Sequence, residues 1–422
     1  MSSNISFDLK RHTLANGLQV VLHRDTRLPL VAVNLWYHVG SKNEKPGRTG
    51  FAHLFEHLLF QGSENVGTND HFRYVQQVGG VANGSTWYDR TNYYETLPSH
   101  ELDRGLWLES DRMGFFLGGI HQEKLDNQRD VVMNERRQRV DNQPYGRATE
   151  CLYELLFPEG HPYRWPVIGY MDDIAAAELD MVKDFFETYY VPSNAVLTVA
   201  GDLDYDRALA KIERWFGDIP AGYPPPPPVV PTVELDGVRR TVLEDRVKLP
   251  RIYVAFPAPR YGDKDWYVGD LLCTVLTAGK SSLLYDDLVL SRSLAQDVSA
   301  YVLPTEEASS FGFVLSGGPS VEPEALEDAL VAHLDALARK PLDESLVDRA
   351  RNRLLRRHYM ELQSLADRAD LMSQFTTYFD APEAAAREIE RYRGITAADL
   401  QDLVARYLDT RRRAVVSVPV TP

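Results

Sequence analysis

Five consecutive prolines, Pro224–Pro228, stand near the midpoint of this 422-residue chain. Proline offers no amide hydrogen to a sheet and breaks a helix interior, so the run acts as a stiff extended spacer. Pro220 and Pro231 extend the interruption on either side. It leaves two stretches of roughly 200 residues, each a comfortable length for one domain. The ends of the two stretches resemble each other. Ile174, Leu179, Val182 and Phe186 keep the same mutual spacings as Ile395, Leu400, Leu403 and Tyr407, about 221 residues later. Ala195-Val196 and Ala414-Val415 then open a closing strand in each, two residues out of step. Similarity at half the chain length points to a duplicated domain. The expected organisation is a first domain over residues 1–218, a linker over 219–234 and a similar second domain over 235–422.

The first stretch opens with period-two alternation around Asn16-Gly17, a hairpin signal. Residues 31–39 read as a third strand, and His38 within it reads as a structural histidine. Val81–Thr86 and Thr91–Thr96 are polar strand-like runs, and such an edge can offer its backbone to an extended peptide. Residues 99–116 and 121–140 have the spacing of amphipathic helices. After the proline run the style restarts, with a strand at 252–256, an apolar helix at 265–276, strands between 298 and 315, and long helices at 323–339 and 343–364. The expected class is α+β, each domain a mostly antiparallel sheet packed with helices.

The chemistry concentrates in Thr49-Gly50-Phe51-Ala52-His53-Leu54-Phe55-Glu56-His57-Leu58-Leu59-Phe60-Gln61-Gly62. This reads as a short apolar helix closed by Gly62. Positions three and four apart share a helix face, so His53, Glu56 and His57 point the same way. Two imidazoles one turn apart can both reach one divalent ion at about 2.0–2.1 Å. A carboxylate between them lies beside the ion without having to bind it. H-x-x-E-H is the inverted form of the zincin motif, suited to hydrolysis in which a metal acidifies water and the carboxylate takes its proton. A third ligand is still needed, and the residues alone do not choose among Glu109, Asp111 and Glu135. The second stretch has no H-x-x-E-H.

The net charge of −15 argues against nucleic acid or an anionic membrane as partner, since both favour clustered Lys and Arg. No run approaches the roughly 20 apolar residues that span a bilayer. The first residues lack the basic start and apolar core of a signal peptide, so a cytoplasmic location is expected. The two cysteines, Cys151 and Cys273, sit in apolar helical contexts and read as inert buried thiols of a reducing compartment.

Taken together, these features resemble the pitrilysin-type inverzincin metallopeptidases, which include pitrilysin, insulin-degrading enzyme and the mitochondrial processing peptidase. The matching stretches include Leu14-Ala15-Asn16-Gly17-Leu18, Gly50 to His57, Asn83-Gly84-Ser85-Thr86, Val131-Val132-Met133-Asn134-Glu135, His161-Pro162-Tyr163 and Tyr190 to Ala195. The resemblance implies one Zn2+ per chain, held by His53, His57 and Glu135, with Glu56 as general base. It implies that Ala82, Asn83, Gly84 and Ser85 line the substrate peptide. The implied fold is half of a clamshell, and the implied activity is hydrolysis of peptides or small unfolded polypeptides.

Two positions depart from the pattern. Gln128 stands where relatives often carry a second glutamate behind the metal, which predicts tuning rather than loss. In the second domain, Val289 and Gln296 replace an arginine and a tyrosine that hold substrate in many half-length members. A homologous two-domain subunit supplying that pair is therefore expected as partner, a heterodimer in preference to a homodimer. The rival readings are a non-catalytic scaffold subunit of the same fold and a hydrolase of non-peptide amides.

Overall fold

The computed structural model describes residues 6–340 and 342–420. Eleven strands form two sheets among the described residues. In the first half they are β1 (Leu9–Thr13), β2 (Gln19–Arg24), β3 (Leu30–Tyr37), β4 (Val81–Thr86), β5 (Thr91–Pro98) and β6 (Ala195–Gly201). The second half supplies β7 (Arg239–Val242), β8 (Arg251–Ala258), β9 (Ala295–Val302), β10 (Ser309–Gly317) and β11 (Ala414–Val418). The sheet orders are β1-β2-β6-β3-β5-β4 and β7-β11-β8-β10-β9. In each, one pair is parallel (β2 with β6, β7 with β11) and the rest are antiparallel. Without β1, the two orders are one topology written twice. The helices Leu179–Tyr189 and Ala397–Tyr407, which carry the repeated spacings, lead into the equivalent strands β6 and β11.

The chain forms two compact units that differ from the linear division at residues 218 and 235. The first unit holds the described residues up to Arg136, then Pro166–Pro228 and Tyr359–Glu388. The second holds Arg137–Trp165, Val229–His358 and the described residues from Ile389 onward. Sheet alternation gives the reason. On β3, Val31, Val33, Leu35 and Tyr37 enter the main core of the first unit, under α1 (Phe51–Leu58) and α3 (Leu102–Gly119), between which α2 (Asp70–Gln77) falls in the chain. The intervening Ala32, Asn34 and Trp36 face the other way, and that face also needs a cover. Helix Leu365–Phe379 covers it: Met372 packs on Val21, Trp36 and Val196, and Ala369 on Ala32 and Ala200. In the second unit, α5 (Ala148–Leu156) packs against β7, β8 and β11. Each half of the sequence thus lends a helix to the other half's sheet. Between Phe216 and Arg239, a span that includes the prolines, no residue lies in a helix or strand. No described helix is long and apolar enough to cross a membrane.

Candidate metal centre

Helix α1 has only eight residues, too short to persist alone in water. Packing fixes it. Phe51, Ala52, Leu54, Phe55 and Leu58 are buried, and Phe55 stacks among Phe185, Phe186 and Tyr190. Burying a side chain of this size is worth about 1.5–3 kcal/mol. Its start depends on Gly50, whose φ of +85° is left-handed and whose added Cβ would lie 2.6 Å from the Ile168 carbonyl oxygen. Glu44 then takes two backbone amides of the first turn, Gly50 N at 2.9 Å and Ala52 N at 2.8 Å. A carboxylate there satisfies otherwise orphaned donors and complements the helix dipole. The helix closes at Leu58, before Gly62. Gly62 instead serves a tight turn, with φ of +95° and the Val66 oxygen 2.3 Å from where a Cβ would stand.

The remaining face of α1 carries His53, Glu56 and His57, all half-buried. The two imidazole rings lie 4.9 Å apart at 77°. Helix α4 (Gln122–Arg136) packs beside α1 through Leu125 and Val132 and delivers Glu135 in its last turn. Glu135 Oε2 lies 3.2 Å from His57 Nε2 and 3.9 Å from His53 Nε2. Bonds of about 2.0–2.1 Å at tetrahedral angles put neighbouring donor atoms about 3.3 Å apart. The spacing and the His/His/carboxylate donor set therefore fit a divalent ion with a position left open. Of the other two acids, Asp111 accepts from Ser63 and from Asn65 at 2.6 Å. Glu109 lies in a separate buried cluster.

Glu56 is the carboxylate beside this trio. Burial raises its pKa, while a hydrogen bond from Thr86 and the neighbouring His57 oppose the rise. Thr86 Oγ1 donates to Glu56 Oε2 at 2.7 Å. Gln128 is buried two turns earlier on α4 and gives its amide to Asn127. Ala82, Asn83, Gly84 and Ser85 lie on β4, which ends its sheet and pairs only with β5 among the described strands. Gly84 is buried against α1, and a Cβ there would come 3.3 Å from Glu56 Cγ. Val289 falls in the π-helical segment Tyr285–Ser291, and Gln296 is exposed on β9.

A second trio of ligand-type atoms, from His71, Glu95 and Glu109, is fully buried in the same unit. Arg112 occupies it, 3.1 Å from Glu109 Oε1 and 3.0 Å from His71 Nδ1, with its guanidinium over the rings of Tyr93 and Phe60. Burial pushes both carboxyl groups up, Glu95 well up because Glu109 also repels its charged form. A cation already sits among these acids, so a metal would be repelled. The roles of Thr86, Glu44 and this cluster are absent from a reading of motifs. For Thr86 the two-residue alternation was an available signal, since it shares a strand face with Ala82 and Gly84.

Comparison with known proteins places this geometry in context. The model of the insulinase family (peptidase family M16) matches residues 19–161, and that of the peptidase M16 inactive domain matches residues 176–354. The chain is 32% identical over 372 residues to zinc protease PqqE of Helicobacter pylori, covering 87% of this chain and 83% of that protein. It is 27% identical over 356 residues to an uncharacterized zinc protease of Streptomyces coelicolor, covering 81% and 74%. The crystal structure of a protease from Helicobacter pylori superposes with a TM-score of 0.92 at 28% identity, covering 98% of this chain and all of that one. The first half of the periplasmic protease PqqL from Escherichia coli shares the fold, with a TM-score of 0.77 at 19% identity over 99% of this chain and 93% of that one.

Proposed function

Because the chain belongs to the insulinase (M16) peptidase family, we propose that it is a zinc-dependent metalloendopeptidase acting on peptides or small unfolded polypeptides. The observation that carries this reading is the meeting of His53, His57 and Glu135 on one open face beside Glu56. His53, His57 and Glu135 would hold one Zn2+. When bound, the ion supplies Lewis acidity that brings the pKa of a water to near 7. Glu56 accepts the proton of the attacking water and returns it to the leaving amine. The outer edge of β4 at Ala82–Ser85 receives the substrate as an added strand. Gln128 tunes the centre from behind α4.

The test is metal analysis of the purified protein together with hydrolysis of unstructured fluorogenic peptides. One zinc per chain is expected. Glu56→Gln should keep the zinc and lower kcat roughly 100- to 10,000-fold. A protein without stoichiometric zinc, as the scaffold reading requires, would overturn the proposal, as would parental turnover by Glu56→Gln.

A homologous two-domain subunit is proposed to complete the enzyme by supplying the substrate-holding Arg/Tyr pair, because Val289 and Gln296 stand at those positions here. The chain also spans 48% of the full PqqL chain whose fold it shares. Light scattering and peptide assays with and without a candidate partner test this, and full activity of the isolated monomer refutes it. Cys273 is buried and Cys151 only half-buried, and burial raises both thiols, in keeping with inert cysteines; a cytoplasmic location is part of the proposal.

A further inference from the structure

Strand β4 ends its sheet, and an edge strand with an unpaired side is ordinarily the least constrained part of a sheet. Its last residues are held here by side chains on the face away from α1. Ser85 Oγ donates to Asn92 Oδ1 at 2.6 Å. Arg90, just past the strand, donates to the Ser85 carbonyl at 2.8 Å and to Asn92 Oδ1 at 3.1 Å, with its guanidinium over the Trp36 ring. Asn92 Nδ2 passes on to Asn34 Oδ1 at 3.2 Å and Asp370 Oδ1 at 3.1 Å. The same Asp370 oxygen accepts from Trp36 Nε1 at 2.8 Å and Asn34 Nδ2 at 3.2 Å. A carboxylate on helix Leu365–Phe379 therefore ties together β3, β5 and, through Asn92, the end of β4.

The next residue of β4 points to the opposite face, toward α1. Thr86 stands across from Thr91, whose hydroxyl donates to the Val39 carbonyl at 2.8 Å, so the strand end is fixed on this side too. Thr86 Oγ1 lies 2.7 Å from Glu56 Oε2. A glutamate has three rotatable side-chain bonds, and a half-buried one on an open helix face would otherwise sample several rotamers. A general base must keep one oxygen within hydrogen-bond reach of a water at a fixed spot.

We propose that Thr86 is a positioning residue for Glu56: its hydroxyl, fixed by the Ser85–Asn92–Asp370 network behind β4, holds one carboxylate oxygen so that the other is aimed at the attacking water. This rests on Glu56 being the general base. It adds a second duty to β4, which steadies the base with one face while its outer edge receives the peptide.

The test compares Thr86→Val, which keeps the shape and loses the hydroxyl, with Thr86→Ser, which keeps the hydroxyl. Each is made in the parent and in Glu56→Gln, and four quantities are read: zinc content, kcat, KM, and affinity of the Glu56→Gln proteins for an uncleaved peptide. A hydrogen bond to a charged group is worth a rate factor of roughly 10 to 100 when its only purpose is to orient that group. Thr86→Val should therefore lower kcat roughly 10- to 100-fold with zinc content, KM and peptide affinity unchanged, and Thr86→Ser should recover to within about threefold. On the Glu56→Gln background, Thr86→Val should cost nothing further, because groups acting as one unit are not additive. Parental kcat in Thr86→Val, an equal fractional loss on both backgrounds, or a loss tracking zinc or peptide affinity overturns the proposal while Glu56→Gln stays inactive. If Glu56→Gln itself turns over at the parental rate, the base assignment fails first.

Discussion

Replacing Arg112 with methionine tests how the first unit tolerates acids in its core. Arg112 is 3% exposed, Glu109 0% and Glu95 1%, so water reaches none of them. The guanidinium lies 3.1 Å from Glu109 Oε1 and stacks on Tyr93 and Phe60. Methionine fills the volume of the stem and keeps a polarisable contact with both rings, so little cavity arises. The electrostatic loss remains. Leaving one partner of a buried pair unmatched costs roughly 3–5 kcal/mol if the charge persists. Glu109 avoids that by taking up a proton, at about 1.4 kcal/mol for each pH unit above its ordinary value of 4.5. Burial already raises Glu109 in the parent, where Arg112 opposes the rise, so the variant differs by the further rise that follows once that opposition is gone. A carboxyl whose folded pKa is raised gives stability that is complete below the unfolded pKa and lost as pH rises through the folded one. The gap between parent and Arg112→Met should therefore widen with pH from 5 to 8 in equilibrium urea unfolding. Glu95, already pushed well up in the parent although Arg112 opposes the rise, moves in the same direction when Arg112 is lost. A gap that is flat with pH, or below about 1 kcal/mol at pH 8, would refute the reading that Arg112 opposes the burial-driven rise of Glu109.

Two further outcomes follow from the same reasoning. Glu44→Ala removes two charge-assisted bonds from the start of α1 and should cost roughly 1.5–3 kcal/mol, with weaker zinc retention in a chelator competition because His53 directly follows Ala52 in that first turn; unchanged zinc affinity would show that packing alone sets the helix. Burial pushes His161 down to about 4, so it stays neutral in the folded protein. Stability should be complete above pH 6.5 and decline by up to roughly 3 kcal/mol as pH falls toward 4. His161→Asn should flatten that decline in thermal melts, and an unaltered slope would exclude His161 as its source.

Local features carried most of what the residues revealed. The strand Ala195–Gly201, the turn at Asn16-Gly17 and the shared face of His53, Glu56 and His57 depend on periodicity and turn chemistry, which operate over a few residues. The duplicated topology was legible because the same apolar spacings lead into β6 and β11. Long-range partnerships were not. Helix α3 has the spacing of an amphipathic helix, yet Glu109, Asp111 and Arg112 are buried because Tyr93 and Glu95 of β5 and Phe60, Ser63 and Asn65 after α1 meet them. A helical period says which residues share a face and nothing about what lies across from it. The same blindness hid the choice of Glu135 and the destination of helix Leu365–Phe379, some 330 residues from Trp36, which hydrogen-bonds it.

The helices traded between the halves have a practical consequence for anyone cutting or shortening this protein. A nick among the prolines would sever the peptide chain without freeing the fragments, since each would keep a limb seated on the other's sheet and the two would co-purify as a non-covalent pair. A fragment ending at the prolines would instead leave Val21, Trp36 and Val196 bare to water, along with the asparagines that lean on Asp370. Such a truncation would clump rather than yield a minimal enzyme, however complete its histidines and glutamates.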